Sequence, residues 1–348
     1  MSKIKLSDIA AALKLSKATI SKVLNSYPDV NSKTRERVLQ YVKKVGFEPD
    51  RNASYLRTKE TNTVALILPE MNHDFFNSVL AGVLKRAQQS KYNVLVGCSQ
   101  GSVEEEKKLI SQFLNQNVDA ILMAVTQQTN EFKHLEEVQK EGKLLVMFDK
   151  IEKIIDCPKI IIDDRKAAFD ATEHLILKGC KKILHFRGAY SPQISIDRYL
   201  GYRDALEKYD IPFDTSRVFV CENADGNEGY YNAKKVLDLG IEFDGLFAIS
   251  DLTAAGAIKL FKEHNIKIPE EVAVVGFSNW RFSQFYFPSI TTIDQPGITM
   301  GVKVFEAFLN EKSLKKQGLE PENRTLKLPS KLIVRDTTAR EVQKSLTS

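Results

Sequence analysis

The sequence predicts a protein of more than one domain: an all-α segment, then an α/β core of two lobes built on parallel sheets. Three observations predict this fold class. The chain has 348 residues, which is more than one ordinary hydrophobic core supports. Apolar residues recur at helical spacing over the first fifty residues, whereas strand-like and helix-like stretches alternate from Thr63 onward. The hydrophobic fraction (43%) and the charged fraction (27%) are those of an average globular protein.

Two short helices open the all-α segment. The first has one apolar face, formed by Leu6, Ile9, Ala10 and Leu13. Ser16 then occupies the N-cap position of a second helix over residues 17–24, because its hydroxyl can accept a hydrogen bond from an unpaired backbone N–H.

A third helix follows the break at Pro28, a residue that disfavours helix before it. Either Asn31 or Ser32 supplies its N-cap, and Gly46 ends it. The side chains predicted to face the core are Val38, Leu39, Val42 and Val45.

The surplus positive charge of the chain lies in its first sixty residues. They contain thirteen Lys and Arg against six Asp and Glu, whereas the remaining residues contain 37 and 39. Such a distribution is typical of a surface that contacts a phosphate backbone. A solvated Lys-rich face is the simpler interpretation of most charge runs, but it does not account for short polar side chains on the exposed face of a capped helix. DNA binding is therefore predicted.

A longer motif runs through the same segment. It consists of Leu6 to Ala10, Leu15 to Asn25 and Val30 to Val38, with a continuation over Gly46 to Asp50. In this order and spacing the motif closely resembles the headpiece of the LacI family of bacterial transcription regulators, and the resemblance extends over nearly the whole chain.

The resemblance implies a division of the chain. A helix-turn-helix headpiece covers residues 1–48, a hinge helix with its linker covers 49–60, and a core similar to periplasmic sugar-binding proteins covers 61–341, before a tail over 342–348. Lobe one of the core is expected over about 61–162 and 293–327, and lobe two over about 163–292 and 328–341. The chain would then return to lobe one near Thr292 and to lobe two near Leu328.

The residues expected to contact DNA lie mainly in and around the second helix. Lys17, Ala18 and Lys22 are placed at base edges, since the start of a recognition helix enters the major groove. Lys22 can donate to guanine, and Ala18 can touch a thymine methyl group. Contacts to phosphate, which position the protein without specifying sequence, are expected from Ser16, Thr19, Ser21, Asn25, Ser32 and Arg35.

Residues 49–58 lack sustained apolar periodicity and could form a flexible linker. They also carry a single-turn helix signature, with Ala53 and Leu56 on one side. The resemblance implies a hinge helix that folds on DNA, with contacts from Asn52 and Ala53 and with Leu56 as a wedge in the minor groove. A helix this short is marginal alone, so a partner hinge is expected to pack against it.

The core begins with a continuous apolar run over 64–68, which is typical of a strand buried on both faces. Later strands are predicted at 93–97, 120–124, 144–148, 160–162, 183–186, 218–220, 245–249, 272–277 and 331–334, with helices between most of them. Two such α/β lobes in tandem predict a ligand between them, at the carboxyl ends of the strands.

Several candidate effector contacts follow predicted strands of lobe one. Phe75 and Phe76 open the first helix, and we expect one ring to be buried and the other to face the cleft. Asp149 either caps a helix or binds ligand hydroxyls, the second being favoured in this fold. The family resemblance also implies Thr126.

Candidate contacts in lobe two begin with Arg198, which opens a run similar to the Arg-x-x-Gly-Tyr signature of the family. Its guanidinium is expected to bind ligand hydroxyls or a carboxylate, with an ion pair to Asp197 or Asp251 as the structural alternative. Asp251 and Ser278 are further candidates at strand ends. Trp280, the only tryptophan, either stacks on a sugar or lies in the core.

The sequence departs from the family pattern in this lobe. Many members carry Asp where this chain has Ser278, an aromatic residue where it has Ala224, and a polar residue where it has Ile194. The loss of a carboxylate and a stacking ring makes the kind of effector an open question.

No catalytic constellation is present in the sequence, and an enzyme is not expected. The five histidines lie apart, and the four cysteines lack metal-ligand spacing, so neither cofactor nor metal is predicted. The adjacent Asp163 and Asp164 are interpreted as a cap for the next helix rather than an acid–base pair. There is no secretory signal and no apolar run of about 20 residues, which indicates a cytoplasmic protein that makes no contact with a membrane.

These observations together predict a homodimeric repressor of a pseudo-palindromic DNA operator. A small molecule, with a sugar or sugar derivative favoured, would bind between the lobes and control DNA affinity. A nucleoside, a purine or a phosphoprotein as effector, and a role as activator, are the alternatives.

Overall fold

The chain divides between Thr61 and Asn62 into two units. The computed structural model describes residues 4–24, 27–47, 60–129, 131–190, 193–322 and 324–340. Within these ranges no helix combines the length and the apolar character needed to cross a membrane.

Three helices make up the described part of the first unit: α1 (Leu6–Leu13), α2 (Lys17–Leu24) and α3 (Ser32–Val45). One apolar side chain or more from each helix meets in a small core. Its buried members are Ile9, Ala10, Leu13, Ile20, Val23 and Val38.

Local chemistry fixes the ends of these helices as predicted. The Ser16 hydroxyl accepts a hydrogen bond from the Thr19 N–H at 3.0 Å and so caps α2. Asn31, rather than Ser32, caps α3, because its amide oxygen accepts from the Lys33 N–H at 2.8 Å. Gly46 ends α3 with a φ of 62°, a left-handed conformation that glycine adopts freely.

The prediction that Leu39 faces the core is wrong, since its exposed fraction is 47%. Val38 is fully buried, and Leu39 lies about 100° further round the helix. Tyr41 and Val42, three and four residues after Val38, pack against the core instead.

The second unit contains two six-stranded sheets. The first has the order β11-β5-β4-β3-β1-β2, with all strands parallel. Its strands are β1 (Thr63–Leu68), β2 (Asn93–Cys98), β3 (Ala120–Met123), β4 (Leu144–Phe148), β5 (Lys159–Ile162) and β11 (Thr325–Leu328). The four central strands are buried on both faces, as parallel sheets require.

The second sheet has the order β12-β10-β9-β8-β6-β7, and it is parallel except for β12, which runs antiparallel to β10. Its strands are β6 (Ile183–Gly188), β7 (Val218–Cys221), β8 (Gly245–Ala248), β9 (Ala273–Phe277), β10 (Thr291–Asp294) and β12 (Lys331–Ile333).

Helices cover both faces of these sheets. Those of the second unit are α4 (Asp74–Gln89), α5 (Val103–Asn115), α6 (Lys133–Lys140), α7 (Asp164–Leu177), α8 (Gln193–Lys208), α9 (Gly226–Asp238), α10 (Asp251–Glu263) and α11 (Gly297–Lys316). Short 3₁₀ turns lie at Thr215–Arg217, Arg281–Gln284 and Asp336–Thr338. Helices α4 and α11 approach so closely that a Cβ at Gly301 would lie 2.0 Å from the Val79 carbonyl oxygen. The close approach is possible because glycine has no Cβ.

The two sheets define two lobes. Lobe one contains β1 to β5, β11, α4 to α6 and α11, and lobe two contains the remaining strands and helices of the unit. The chain passes between the sheets after Ile162, after Asp294 and after Leu328. Thr292 lies inside β10, two residues before the second passage. The predicted two-lobed α/β fold is confirmed.

Candidate functional site

The exposed face of α2 is polar and basic. Lys17, Ala18 and Lys22 are exposed, whereas Ile20 and Val23 on the opposite side are buried. The core therefore holds α2 in place and leaves its predicted base-reading side chains free of the interior.

Two of the basic side chains in this unit already have partners. The Lys22 ammonium forms an ion pair with Asp29, and the hydrogen bond to Asp29 raises the pKa of the exposed Lys22. The Arg35 guanidinium donates to the Tyr27 carbonyl oxygen. Asp29 therefore occupies the Lys22 ammonium in this structure, and Arg35 ties α3 to the loop before it.

The other predicted DNA contacts differ in their surroundings. The Ser16 and Thr19 hydroxyls are hydrogen-bonded to each other at 2.9 Å. Ser32 is exposed at the first turn of α3, whereas Ser21 is half-buried and has an interaction partner. Asn25, Asn52, Ala53 and Leu56 lie outside the described residues.

In the second unit, two adjoining cavities lie between the lobes at the carboxyl ends of the strands. The first cavity has a volume of about 160 Å³ and includes Trp280 in its wall. The second has a volume of about 210 Å³ and includes Phe132. The two walls share Gln127, Asp149, Lys150 and Ile194. The cavities therefore form one cleft, as the topology predicts.

Aromatic rings form one side of the first cavity. Phe75 and Phe76 have exposed fractions of 4% and 2%, and both line the cavity. The expectation that only one of the two rings is buried is wrong. The Trp280 ring lies 4.4 Å from the His73 ring, centroid to centroid, across the boundary between the lobes.

Two buried N–H donors in this cavity have no hydrogen-bond partner among the described residues. They are Nε1 of Trp280 and Nε2 of Gln295. The Ser278 hydroxyl donates to Oε1 of Gln295 at 2.7 Å and so fixes the amide. Unpaired buried donors are costly, and both residues that carry them line the first cavity.

Asp149 lies where the two cavities meet. Only 6% of its surface is exposed, and within the described part of the chain its carboxylate has no hydrogen bond or ion pair. Its φ is 55°, a left-handed conformation that Asp and Asn tolerate better than most residues.

Arg198 lines the first cavity, but much of its guanidinium is already bound. Nε donates to Asp164 at 2.8 Å and Nη1 to the Ile249 carbonyl at 3.3 Å. The predicted structural partners, Asp197 and Asp251, are wrong: the carboxylate is that of Asp164, which α7 brings against α8.

The adjacent pair Asp163 and Asp164 has two different roles. Asp163 accepts from the Lys166 N–H at 3.1 Å and caps α7 as predicted. Asp164 is buried instead, and burial raises its pKa to about 6, against the opposing effect of Arg198.

Asp251, predicted to contact the effector, does not reach either cavity. It is fully buried, its Oδ2 accepts from the Trp280 N–H at 2.7 Å, and burial raises its pKa to about 7. Its neighbour Ser250 lines the cavity in its place. Asp251 therefore positions Trp280 from behind the wall, a role that strand-end position alone does not reveal.

Thr126 lines the second cavity and lies in a loop that hydrogen bonds to Glu106 hold in place. Its N–H donates to the fully buried Glu106 at 2.7 Å, and its hydroxyl is bonded to that of Thr129 at 2.9 Å. Glu106 also accepts from the Thr129 hydroxyl at 3.0 Å and is 2.8 Å from Nε2 of His134.

Polar contacts join the lobes around the cleft. The Arg281 N–H of lobe two donates to Asp74 of lobe one at 2.8 Å. The Gln127 amide of lobe one donates to the Glu222 carbonyl of lobe two at 2.8 Å. We call the arrangement in which these two hydrogen bonds hold the lobes together the joined arrangement.

The cleft residues that sequence reasoning missed include His73, Gln127, Lys150 and Gln295. Each lies one to five residues beyond the end of a strand, so position relative to the strands was an available signal. Ala224 and Ile194, noted as departures from the family pattern, both line the cleft.

The fold and these sites define a class of protein, in which a helix-turn-helix unit is attached to a two-lobed ligand-binding core. Residues 5–50 match the family of bacterial regulatory proteins of the lacI type. Residues 61–333 match the periplasmic binding proteins and sugar-binding domain of the LacI family. The chain belongs to the LacI family, whose members are DNA-binding transcription regulators and not enzymes.

Individual relatives share the whole architecture. The NTD biosynthesis operon regulator NtdR of Bacillus subtilis is 31% identical over 336 residues, which is 95% of this chain and 98% of that protein. The HTH-type transcriptional regulator RegA of Clostridium saccharobutylicum is 29% identical and covers 95% and 98%. The structure of the lac repressor dimer bound to operator and the anti-inducer ONPF superimposes with a TM-score of 0.82 at 22% identity, covering 97% and 99%.

Proposed function

We propose that this regulator is a cytoplasmic, homodimeric repressor whose affinity for a pseudo-palindromic operator is controlled by a small molecule in the interlobe cleft. The observation that carries the proposal is the capped, basic face of α2 inside the segment that matches the family headpiece. The cleft supports the second part of the proposal, control by a small molecule, because it combines aromatic walls with unpaired buried donors.

Operator readout is assigned to the exposed start of α2. Lys17, Ala18 and Lys22 would contact base edges, with Lys22 leaving Asp29 to donate to a guanine. Ser16, Thr19, Ser21, Asn25, Ser32 and Arg35 would contact or support contacts to phosphate. Arg35 acts in part through Tyr27, which holds the loop between α2 and α3.

Dimerisation follows from the same readout. One headpiece buries too little surface for tight specific binding, whereas two linked headpieces on two half-sites multiply affinity. The hinge residues Asn52, Ala53 and Leu56 would pack between the copies and enter the minor groove.

A sugar or sugar derivative suits the cleft best. The unpaired donors of Trp280 and Gln295 match hydroxyl oxygens, the Asp149 carboxylate matches hydroxyl or amine donors, and the aromatic rings match the apolar face of a pyranose. The effector and DNA would each bias the same two arrangements of the lobes, which is allostery in the sense of linkage.

Selection of operator sequences from random DNA, with the full-length protein, tests the DNA-binding half. Lys22→Ala should relax preference at one base pair in each half-site, with a loss of about 1–3 kcal/mol for the preferred base. Lys33→Ala, which removes an exposed charge of α3, is the matched control and should weaken all sequences alike. Uniform weakening by Lys22→Ala would assign that side chain to the backbone instead.

Titration of Trp280 fluorescence with sugars and nucleosides tests the cleft, because Trp280 is the only tryptophan and lines the first cavity. A saturable response that shifts operator affinity is expected from one of these ligands. Operator affinity that no cleft ligand alters, in either direction, would contradict control by effector.

A further inference from the structure

The charge of the cleft is opposite to that of the whole chain. The chain has a formal net charge of +5. Six carboxylates line the two cavities: Glu70, Asp149, Glu152, Asp164, Asp197 and Asp225. Three basic side chains line them: Lys150, Lys153 and Arg198. An anionic ligand would therefore enter a site with surplus negative charge, whereas a cation would be attracted.

Four of these carboxylates already have partners, among them Glu152, which accepts from the Ile154 N–H at 3.0 Å. Asp164 binds Arg198 at 2.8 Å, Asp197 accepts from the Gln193 amide at 2.8 Å, and Asp225 accepts from the Glu228 N–H at 2.9 Å. Asp149, nine-tenths buried, has neither a hydrogen bond nor an ion pair from its carboxylate within the described residues. The Asp149 carboxylate therefore has no protein donor where it lines the cleft, and a donor on a ligand can reach it there.

The surroundings of Asp149 favour a charged donor over a neutral one. Asp164 is buried close to both Asp149 and Asp197; burial raises the pKa of Asp164, the two neighbouring carboxylates add to the rise, and Arg198 opposes it. The nearby cation Arg198 is bound to Asp164. Nζ of Lys150 lies 5.3 Å from the centroid of the Phe76 ring, where it makes a cation–π contact. Neither cation forms an ion pair with Asp149.

Asp149 is also one of the residues that the walls of both cavities share. A group bound to it stands at the junction between about 160 Å³ and about 210 Å³ of empty space. A ligand that fills only the first cavity would meet Trp280 and Gln295 and leave the second empty. A molecule of two rings, joined near Asp149, occupies both.

We propose that the effector is an aminated polyhydroxy molecule of about two sugar rings, with its ammonium group against Asp149 where the two cavities meet. The inference rests on the proposed function of the cleft and narrows its ligand class. Phosphorylated and carboxylated sugars are expected to bind more weakly than their aminated forms, because the lining carries more carboxylates than cations.

Calorimetry and Trp280 fluorescence with matched sugars test the inference on the full-length protein. The panel contains mono- and disaccharides, each in hydroxyl, amino, N-acetylated amino and phosphate form; cellobiose and the corresponding glucosamine dimer are one such set. The tightest ligand is expected to be an amino disaccharide, bound about tenfold or more tighter than its hydroxyl and N-acetylated forms, since a charge-assisted hydrogen bond replaces a neutral one.

Asp149→Asn separates charge from shape. Asn tolerates the left-handed backbone of this position, so the variant should fold, which its circular dichroism and melting temperature check. It is expected to lose about tenfold or more in affinity for the amino form and less than about threefold for the hydroxyl form. Glu137→Gln, an exposed carboxylate of α6, removes the same charge outside the cleft and should leave both affinities unchanged.

The outcomes distinguish the two proposals. If a neutral or phosphorylated sugar binds the cleft as tightly as its amino form, the inference is wrong and the sugar-responsive regulator stands. If Asp149→Asn weakens both forms equally, Asp149 binds a hydroxyl and the ammonium assignment is wrong. If no panel member binds and none alters DNA affinity, both proposals fail.

Discussion

If Lys22 contacts DNA as proposed, DNA must compete with Asp29 for its ammonium group. In the free protein the ammonium is held by Asp29, which lies seven residues further along the chain. Exposed ion pairs contribute about 0–1 kcal/mol, so a guanine or a phosphate can displace Asp29 at little cost. Asp29 keeps the side chain oriented until DNA arrives.

Replacing Asp29 tests this competition. Asp29→Asn should raise operator affinity by less than about fivefold, because Lys22 no longer has to leave an ion pair that solvent already screens. Glu36→Gln removes an equal charge from the exposed face of α3 and serves as control in the same binding titration. Equal gains for both variants would mean that only net charge matters.

His73 is a second side chain whose surroundings matter, because they determine the protonation state of its imidazole. Burial lowers its pKa to about 3, and the nearby positive charges of Lys150 and Arg198 add to the effect. Its Nδ1 accepts from the Phe75 N–H at 3.3 Å, which only a neutral imidazole can do. The joined arrangement therefore requires His73 without its proton.

This requirement gives a pH dependence with a definite sign. Separation of the lobes would remove Trp280 from the His73 ring and return the His73 pKa from about 3 toward 6.5, so the joined arrangement loses stability as the pH falls from 6.5 toward 3. Acidification from about pH 7.5 to about pH 5 should separate the lobes and shift Trp280 emission to longer wavelength.

His73→Asn isolates this effect from other groups that titrate nearby, such as Asp164 and Asp251, whose pKa values are raised to about 6 and about 7. Asn still caps α4 but carries no proton in this range. The red shift of wild type should therefore be reduced in the variant. An identical shift in both proteins would assign the pH response to the carboxylates.

At the scale of elements, α5 supports the floor of the second cavity. Glu106 projects from α5 and is fully buried, where it accepts from the loop at Thr126 and Thr129 and contacts His134 of α6. A buried charge is tolerated only when its hydrogen bonds are satisfied. Glu106 thus fixes the loop that carries Gln127 to lobe two.

Glu106→Gln should lower the free energy of unfolding by about 1–3 kcal/mol, since an amide cannot accept all the hydrogen bonds that the carboxylate accepts. Glu105→Gln, one residue earlier on α5, removes only an exposed ion pair with Lys108 and should cost less than about 1 kcal/mol. Urea unfolding followed by circular dichroism measures both variants. A cost for Glu106→Gln as small as that of its neighbour would show that the cluster is not a support.

The elements also show why the sequence predicted some features and not others. Ser16, Asn31 and Gly46 cap helices through contacts within three residues of the chain, so local chemistry was sufficient. The alternation of strands and helices predicted both sheets and the cleft at their carboxyl ends.

Contacts between residues far apart in the sequence could not be predicted from local chemistry or from the alternation of strands and helices. Arg198 binds Asp164, which is 34 residues away, and Asp251 turns into the core because α10 directs it behind Trp280. A residue shortly after a strand end can face the cleft, as Asp149 does one residue past β4, or the interior, as Asp251 does three residues past β8. Only tertiary packing decides between them, which is why the expected role of Asp251 was wrong.

For the whole second unit, the contacts between the lobes differ in strength. The Arg281 backbone N–H donates to Oδ2 of Asp74 at 2.8 Å, whereas its guanidinium reaches Oδ1 only at 3.4 Å and is 83% exposed. A backbone N–H bonded to a carboxylate contributes about 1.5–3 kcal/mol, and an exposed ion pair about 0–1 kcal/mol. The backbone hydrogen bond should dominate.

Comparing substitutions of Asp74 and Arg281 separates the backbone hydrogen bond from the side-chain ion pair. Asp74→Ala removes both contacts and should shift the lobes toward separation, whereas Arg281→Ala keeps the backbone hydrogen bond and should shift them little. Small-angle scattering without ligand, together with Trp280 emission, measures the separation. If the proposed effector acts by stabilising the joined arrangement, Asp74→Ala should also weaken its binding by about tenfold or more, because ligand binding must then supply the lost 1.5–3 kcal/mol. Equal effects of the two variants would place the junction in the side chain of Arg281, and an effect of Arg281→Ala alone would exclude Asp74 as its acceptor.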